Sequence, residues 1–170
     1  MKQIPEDFID KVIDEISNDG DPSVLEKVTT SFQKEQPILL QYTIDMLSDL
    51  SDDAKELGLF TILSIWKCYQ DLFDKKMETL TEDQVKAKHA SSAKWLETLG
   101  ELDEQTATDE MFDLENQTQP EIYKYILETV MVEDEEDEEF DKVKLDEFEE
   151  TGLFITAKTV MDCLNFAVES

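Results

Sequence analysis

One twelve-residue stretch of this chain occurs twice, and that recurrence limits the folds open to it. QPILLQYTIDML at 36–47 returns as QPEIYKYILETV at 119–130, keeping Gln, Pro and Tyr and exchanging Leu for Ile, Ile for Leu, Asp for Glu and Leu for Val. DDAKELGLF at 52–60 returns as DEFEETGLF at 146–154, in the same order. Pro37 and Pro120 open the two copies, Tyr42 and Tyr125 hold matching places, and Gly58 and Gly152 follow inside the next helix. Self-similarity at this spacing is the signature of a supersecondary unit used more than once. The expected architecture is all-α: eight helices as two diverged four-helix repeats, residues 1–78 and 79–170, packed into one body. From Pro37 to Gly58 is 21 residues and from Pro120 to Gly152 is 32, so the second unit carries an 11-residue insertion near 132–142.

Local signals place the helices. Phe8, Ile9, Val12, Ile13 and Ile16 recur at amphipathic spacing after Pro5, and Asn18-Asp19-Gly20 ends that helix. Asp21-Pro22 restarts the chain, with Asp as N-cap and Pro at the first helical position. A third helix runs from Pro37 to about Ser48 and a fourth from Ser51 to about Phe73, capped by the Ser hydroxyl and by Asp52 and Asp53 at the positive helix end. Thr81-Glu82-Asp83-Gln84 is a capping box that opens a fifth, which stops at Gly100. Weaker patterning predicts a sixth over Asp109–Gln117, with Met111, Phe112 and Leu114 as its apolar side. The seventh starts at Pro120 and the eighth spans about Asp146–Ala167. A glycine inside a helix costs about 1 kcal/mol relative to alanine. Gly58 and Gly152 therefore predict close helix–helix approach, with a kink or cap as the competing reading.

Charge excludes several functions. The chain holds 43 acids against 15 basic residues, a net charge of −28, and every basic residue is Lys. Phosphate backbones need clustered Lys and Arg, so direct nucleic-acid binding is not expected, and anionic membranes are disfavoured for the same reason. No apolar run reaches the roughly 18 residues that span a bilayer, and MKQIPEDFID meets acids too early for a signal peptide. A cytoplasmic location is expected. Cys68 and Cys163 read as buried free thiols rather than a disulfide.

Few residues point to chemistry, and each has a plainer explanation. Glu133, Asp134, Glu135, Glu136, Asp137, Glu138 and Glu139 form an acidic run that reads first as a solvated loop, and second as bait for a basic partner. Glu15, Ser17, Asp19, Asp21 and Glu26 fall at calcium-loop spacing, yet Ser17 is neutral and Pro22 occupies an apolar position, so a helix restart accounts for them more simply. His89 edges an apolar face with no nucleophile in a recognisable motif, which makes it structural rather than a catalytic base. Trp66 lies in an apolar helical run and belongs to the core. No metal-binding, phosphate-binding or dinucleotide-binding motif occurs, so neither cofactor nor enzyme activity is expected.

Residues 1–80 hold 17 acids and 8 Lys, whereas residues 81–170 hold 26 and 7, so the second unit is the more negative. The favoured function is a non-enzymatic helical-repeat module that binds another protein. An acidic inhibitor or nucleic-acid mimic seated on a basic partner is the alternative, and a metal-dependent helical enzyme comes third.

Overall fold

The computed structural model describes residues 1–17, 21–74, 77–131 and 144–169. Among these, all regular structure is helical: α1 Glu6–Ser17, α2 Pro22–Glu35, α3 Pro37–Leu47, α4 Asp52–Phe73, α5 Glu82–Gly100, α6 Glu104–Met111, α7 Pro120–Val130 and α8 Glu147–Glu169. The fold class is all-α, and no strand occurs among the described residues.

Each start has a local cause. Asp21 accepts the Ser23 amide at 3.0 Å ahead of Pro22. The Ser51 hydroxyl accepts from Ala54 N at 3.2 Å. Thr81 and Gln84 complete the reciprocal box, at 2.9 and 3.2 Å, which satisfies two donors that a bare helix end would leave open. Pro37 and Pro120 each stand at the start of their helix, where the missing N–H costs nothing. The sixth helix departs from expectation. It covers Glu104–Met111, begun by Asp103 accepting from Thr106 N at 2.9 Å, and buries none of its residues. A capping side chain sets it, not an apolar stripe, and Phe112 lies beyond its end, 44% exposed.

The two long helices, α4 and α8, pack on each other at the centre. Helix α1 lies on α4 and α5 on α8, while α3 and α7 each touch both long helices. Helix α2 covers α3 and α4, and α6 rests on α5. One continuous core joins them. Trp66 stacks on Phe32 with centroids 4.9 Å apart, and Phe154 packs between Trp95 and Tyr123 at 6.1 and 6.2 Å. Cys68 and Cys163 are buried and unpaired, and burial pushes each thiol up to about 12.

Gly58 and Gly152 are not alike. A Cβ on Gly58 would sit 2.5 Å from Leu153 Cδ2 and 2.9 Å from Leu47 Cδ2, whereas one on Gly152 would meet only Leu50, at 3.7 Å. Neither has a positive φ. Gly58→Ala is expected to lower stability by about 1–2 kcal/mol, overpacking outweighing the gain in helix propensity. Gly152→Ala, in ordinary contact, gains up to about 1 kcal/mol. Thermal denaturation of both variants checks the pair, and shifts of the same sign would refute this account.

Candidate functional site

The surface is dominated by carboxylates that Lys cannot neutralise. Lys86–Glu82 at 2.8 Å, Lys158–Asp162 at 2.8 Å and Lys67–Asp71 at 2.6 Å are pairs one turn apart on single helices. Lys67 also reaches Glu15 at 3.4 Å, and Lys124 on α7 holds Glu6 of α1 at 3.3 Å. The exposed Lys86–Glu82 pair contributes about 0–1 kcal/mol, Lys67 and Lys158 are half-buried, and together these pairs leave most of the acids unneutralised. On α1, Asp7, Asp10, Lys11, Asp14 and Glu15 border a shallow depression of about 460 Å³. A smaller cleft, about 160 Å³, lies among Lys88, Thr118, Asp162, Asn165, Phe166 and Glu169, below the roughly 300 Å³ at which small-molecule sites usually begin.

The acidic run Glu133–Glu139 lies outside the described residues. Of the calcium-like set, Asp19 also lies outside them, Glu15 is turned toward Lys67, and Asp21 is spent on its cap. Among the described residues no group of three or more His, Cys, Asp or Glu side chains is placed to hold a metal. No described helix is long and apolar enough to cross a membrane.

Tyr42 and Tyr125 both reach from a short helix onto a long one. The Tyr42 hydroxyl lies 2.8 Å from His89 Nδ1 and also meets Thr159 of α8, and burial pushes it up to about 12. Tyr125 meets Ser64 and Thr61 of α4, and burial again raises its hydroxyl. The lone histidine thus sits edge-on to Tyr42, centroids 5.6 Å apart, inside a packed contact between α3 and α5.

Two glutamines, which the sequence marks only by identity, bind backbone like a short strand. Gln36 Nε2 donates to Glu78 O at 2.8 Å, and its Oε1 accepts from Leu80 N at 3.0 Å. Gln119 Nε2 donates to Lys2 O at 2.8 Å, and its Oε1 accepts from Ile4 N at 2.8 Å. Both side chains are buried. Each amide therefore clamps the extended segment leading into a distant helix, α5 or α1. Their position is the missed signal: Ser, Thr, Asp or Asn is the usual residue ahead of a helix, and a repeated Gln there has another task. Neither Gln caps its own helix with its side chain.

A third junction ties the starts of α4 and α8. Glu149, 8% exposed, accepts from Ser51 N at 3.1 Å and Ser51 Oγ at 2.6 Å through Oε2, and from Asp146 N at 3.3 Å through Oε1. Asp146 Oδ1 returns the bond by accepting from Glu149 N at 2.8 Å. These donors, Ser51 foremost, hold the Glu149 carboxyl below its ordinary value. No family model, curated protein or solved structure matches this chain.

Proposed function

We propose that this chain is a non-enzymatic protein-binding module whose carboxylate-rich helical surface docks on a basic protein. The observation that carries this reading is the imbalance of charge, −28 over 170 residues, displayed on a helical body whose long helices are spent on a filled core. A surface of one sign raises the local concentration of opposite charge and speeds encounter, while repelling acidic competitors. The test immobilises the full chain, loads host extract and elutes with rising salt. Retained proteins should be basic and should release well before about 0.5 M salt, because exposed charge pairs are screened within a few ångströms there. Retention indifferent to salt, or of no basic protein, would sink the reading. Displacement of the retained protein by added DNA or RNA would identify the chain as an acidic mimic, the narrower form of the same function.

The same proposal takes the scaffold as one four-helix unit used twice, residues 1–78 and 79–170. Matched clamps at Gln36 and Gln119, Pro at both helix starts and the two cross-reaching tyrosines support it. So does the correspondence of α4 and α8. A shift of 95 residues lays the capping Ser51 on Asp146, Thr61 on Thr156, Ser64 on Thr159 and Cys68 on Cys163. In that register Gly58 falls on Leu153, one residue away from the match suggested by the two GLF triplets. Duplication followed by divergence then explains why only one glycine is tightly packed.

A further inference from the structure

We infer that the cleft between α5, α8 and the segment leading into α7 binds a small zwitterion of the amino-acid class, a reading that does not depend on the proposed basic partner. The cleft holds about 160 Å³, the space of about five water molecules at about 30 Å³ each. That is too little for a drug-sized molecule and enough for a ligand of about five to seven non-hydrogen atoms. One wall is a stripe of α8: Asp162, Asn165, Phe166 and Glu169 follow the three- and four-residue steps that share a helix face. Lys88 of α5 and Thr118 complete the lining. Thr118 is steadied by its neighbour Gln119, which is buried and clamped to Lys2 and Ile4.

Two of these groups have bonds left to make. Asn165 is 9% exposed, and its Oδ1 accepts from the buried Tyr69 hydroxyl. Its Nδ2 donates to no described residue. Among the described side chains only Glu121 Oε2 is both sealed from solvent and unbonded, so the Asn165 Nδ2 hydrogens open into the cleft that the residue lines. Lys88 forms no ion pair or hydrogen bond with a described residue, in a chain of 43 acids and 15 lysines where a partner is easily found. Its ammonium lies over the Phe166 ring, 5.2 Å from the centroid. The matching face of α4 is filled from within the chain. In the 95-residue register Lys67, Gln70 and Asp71 stand where α8 has Asp162, Asn165 and Phe166. There Gln70 Oε1 accepts from Ser31 at 3.1 Å and Nε2 donates to Glu35 at 3.0 Å, while Lys67 holds Asp71 and Glu15.

An open amide N–H and an unpaired ammonium are donors for a carboxylate, and charge-assisted bonds of that kind are strong. Asp162 gives one oxygen to Lys158, and Glu169 is exposed and ion-paired with no described residue. A carboxylate has about four acceptor sites, so both can still take an ammonium. A simple anion entering the cleft would meet two carboxylates, and a simple cation would meet Lys88. A molecule carrying both charges a few atoms apart satisfies all of them.

The test titrates the full chain with glycine, L-alanine and L-serine and follows its backbone and side-chain amides by two-dimensional NMR. Acetate and ethylammonium serve as single-charge controls at matched ionic strength. At least one amino acid should shift the Asn165 side-chain amide together with the Lys88 and Thr118 backbone amides, with a Kd no weaker than about 10 mM, a modest demand on so few atoms. Both controls should bind about tenfold more weakly or worse. Lys88→Met keeps the aliphatic stem over Phe166, and Glu169→Gln alters only an exposed side chain. Each should weaken the amino acid about tenfold, the loss of one charge-assisted bond. Weaker or unlocalised shifts with all three amino acids would overturn the site. So would a control that binds as tightly as they do, or wild-type affinity in either variant.

Discussion

Replacing Gln119 by alanine is expected to destabilise the protein by about 2–4 kcal/mol, and Gln36→Ala by a similar amount. Each substitution strips a buried donor and acceptor from the backbone they serve, Ile4 N and Lys2 O in one case and Leu80 N and Glu78 O in the other. A buried group left unpaired costs about 1–3 kcal/mol. For a chain of this size the loss corresponds to roughly 5–15 °C in Tm. Gln119→Met keeps the volume and removes both hydrogen bonds, so it should lose nearly as much. Hydrogen exchange localises the effect: the Ile4 and Leu80 amides should be protected in the wild type and open in their respective variants. A Tm within a degree or two of wild type, or full rescue by methionine, would show that the clamps contribute nothing beyond packing.

A second large effect is expected at Trp66. Its side chain is fully buried, stacks on Phe32, and donates from Nε1 to Ser31 Oγ at 3.0 Å. Ser31 also bonds Val28 O at 2.9 Å and Gln70 Oε1 at 3.1 Å, joining α2 to α4. Trp66→Ala removes the stack, the hydrogen bond and the volume together, at about 3–5 kcal/mol, a large part of the 5–15 kcal/mol that holds a typical domain. Trp66→Phe keeps an aromatic partner for Phe32 and removes only the Nε1 donor to Ser31, which retains Val28 O and Gln70 Oε1, so about 1 kcal/mol is expected. Urea unfolding, followed by the fluorescence of Trp95, checks both. Losses in the reverse order, or below about 1 kcal/mol for alanine, would mean the α2–α4 contact is peripheral to stability.

What the sequence disclosed is what short-range chemistry decides. Prolines at 37 and 120, the Ser51 cap and the Thr81–Gln84 box act within a few residues of themselves, and each helix starts where its cap predicts. The sequence pattern predicts a sixth helix over Asp109–Gln117, but its true start at Glu104 escaped because α6 buries none of its residues and Asp103 is one acid among many. The same abundance hid Glu149, whose burial follows from Ser51, 98 positions earlier in the chain. Gln36 and Gln119 escaped for another reason: amide-to-backbone clamps have no spacing rule, and their targets lie 44 and 115 positions away. A trace was nevertheless present. Ile-Pro-Glu-Asp at 4–7 and Leu-Thr-Glu-Asp at 80–83 are the two clamped leaders, alike in pattern though too short to stand out alone.

The clamp on Ile4 also constrains how the polypeptide is made. Its partner glutamine is translated 115 residues later, so the segment ahead of α1 is synthesised long before anything exists to receive it. Local helices can form at once, but closing so long a loop must wait for most of the chain. Until then Ile4 stays wet, and the segment ahead of α1 is held by nothing but its own neighbours.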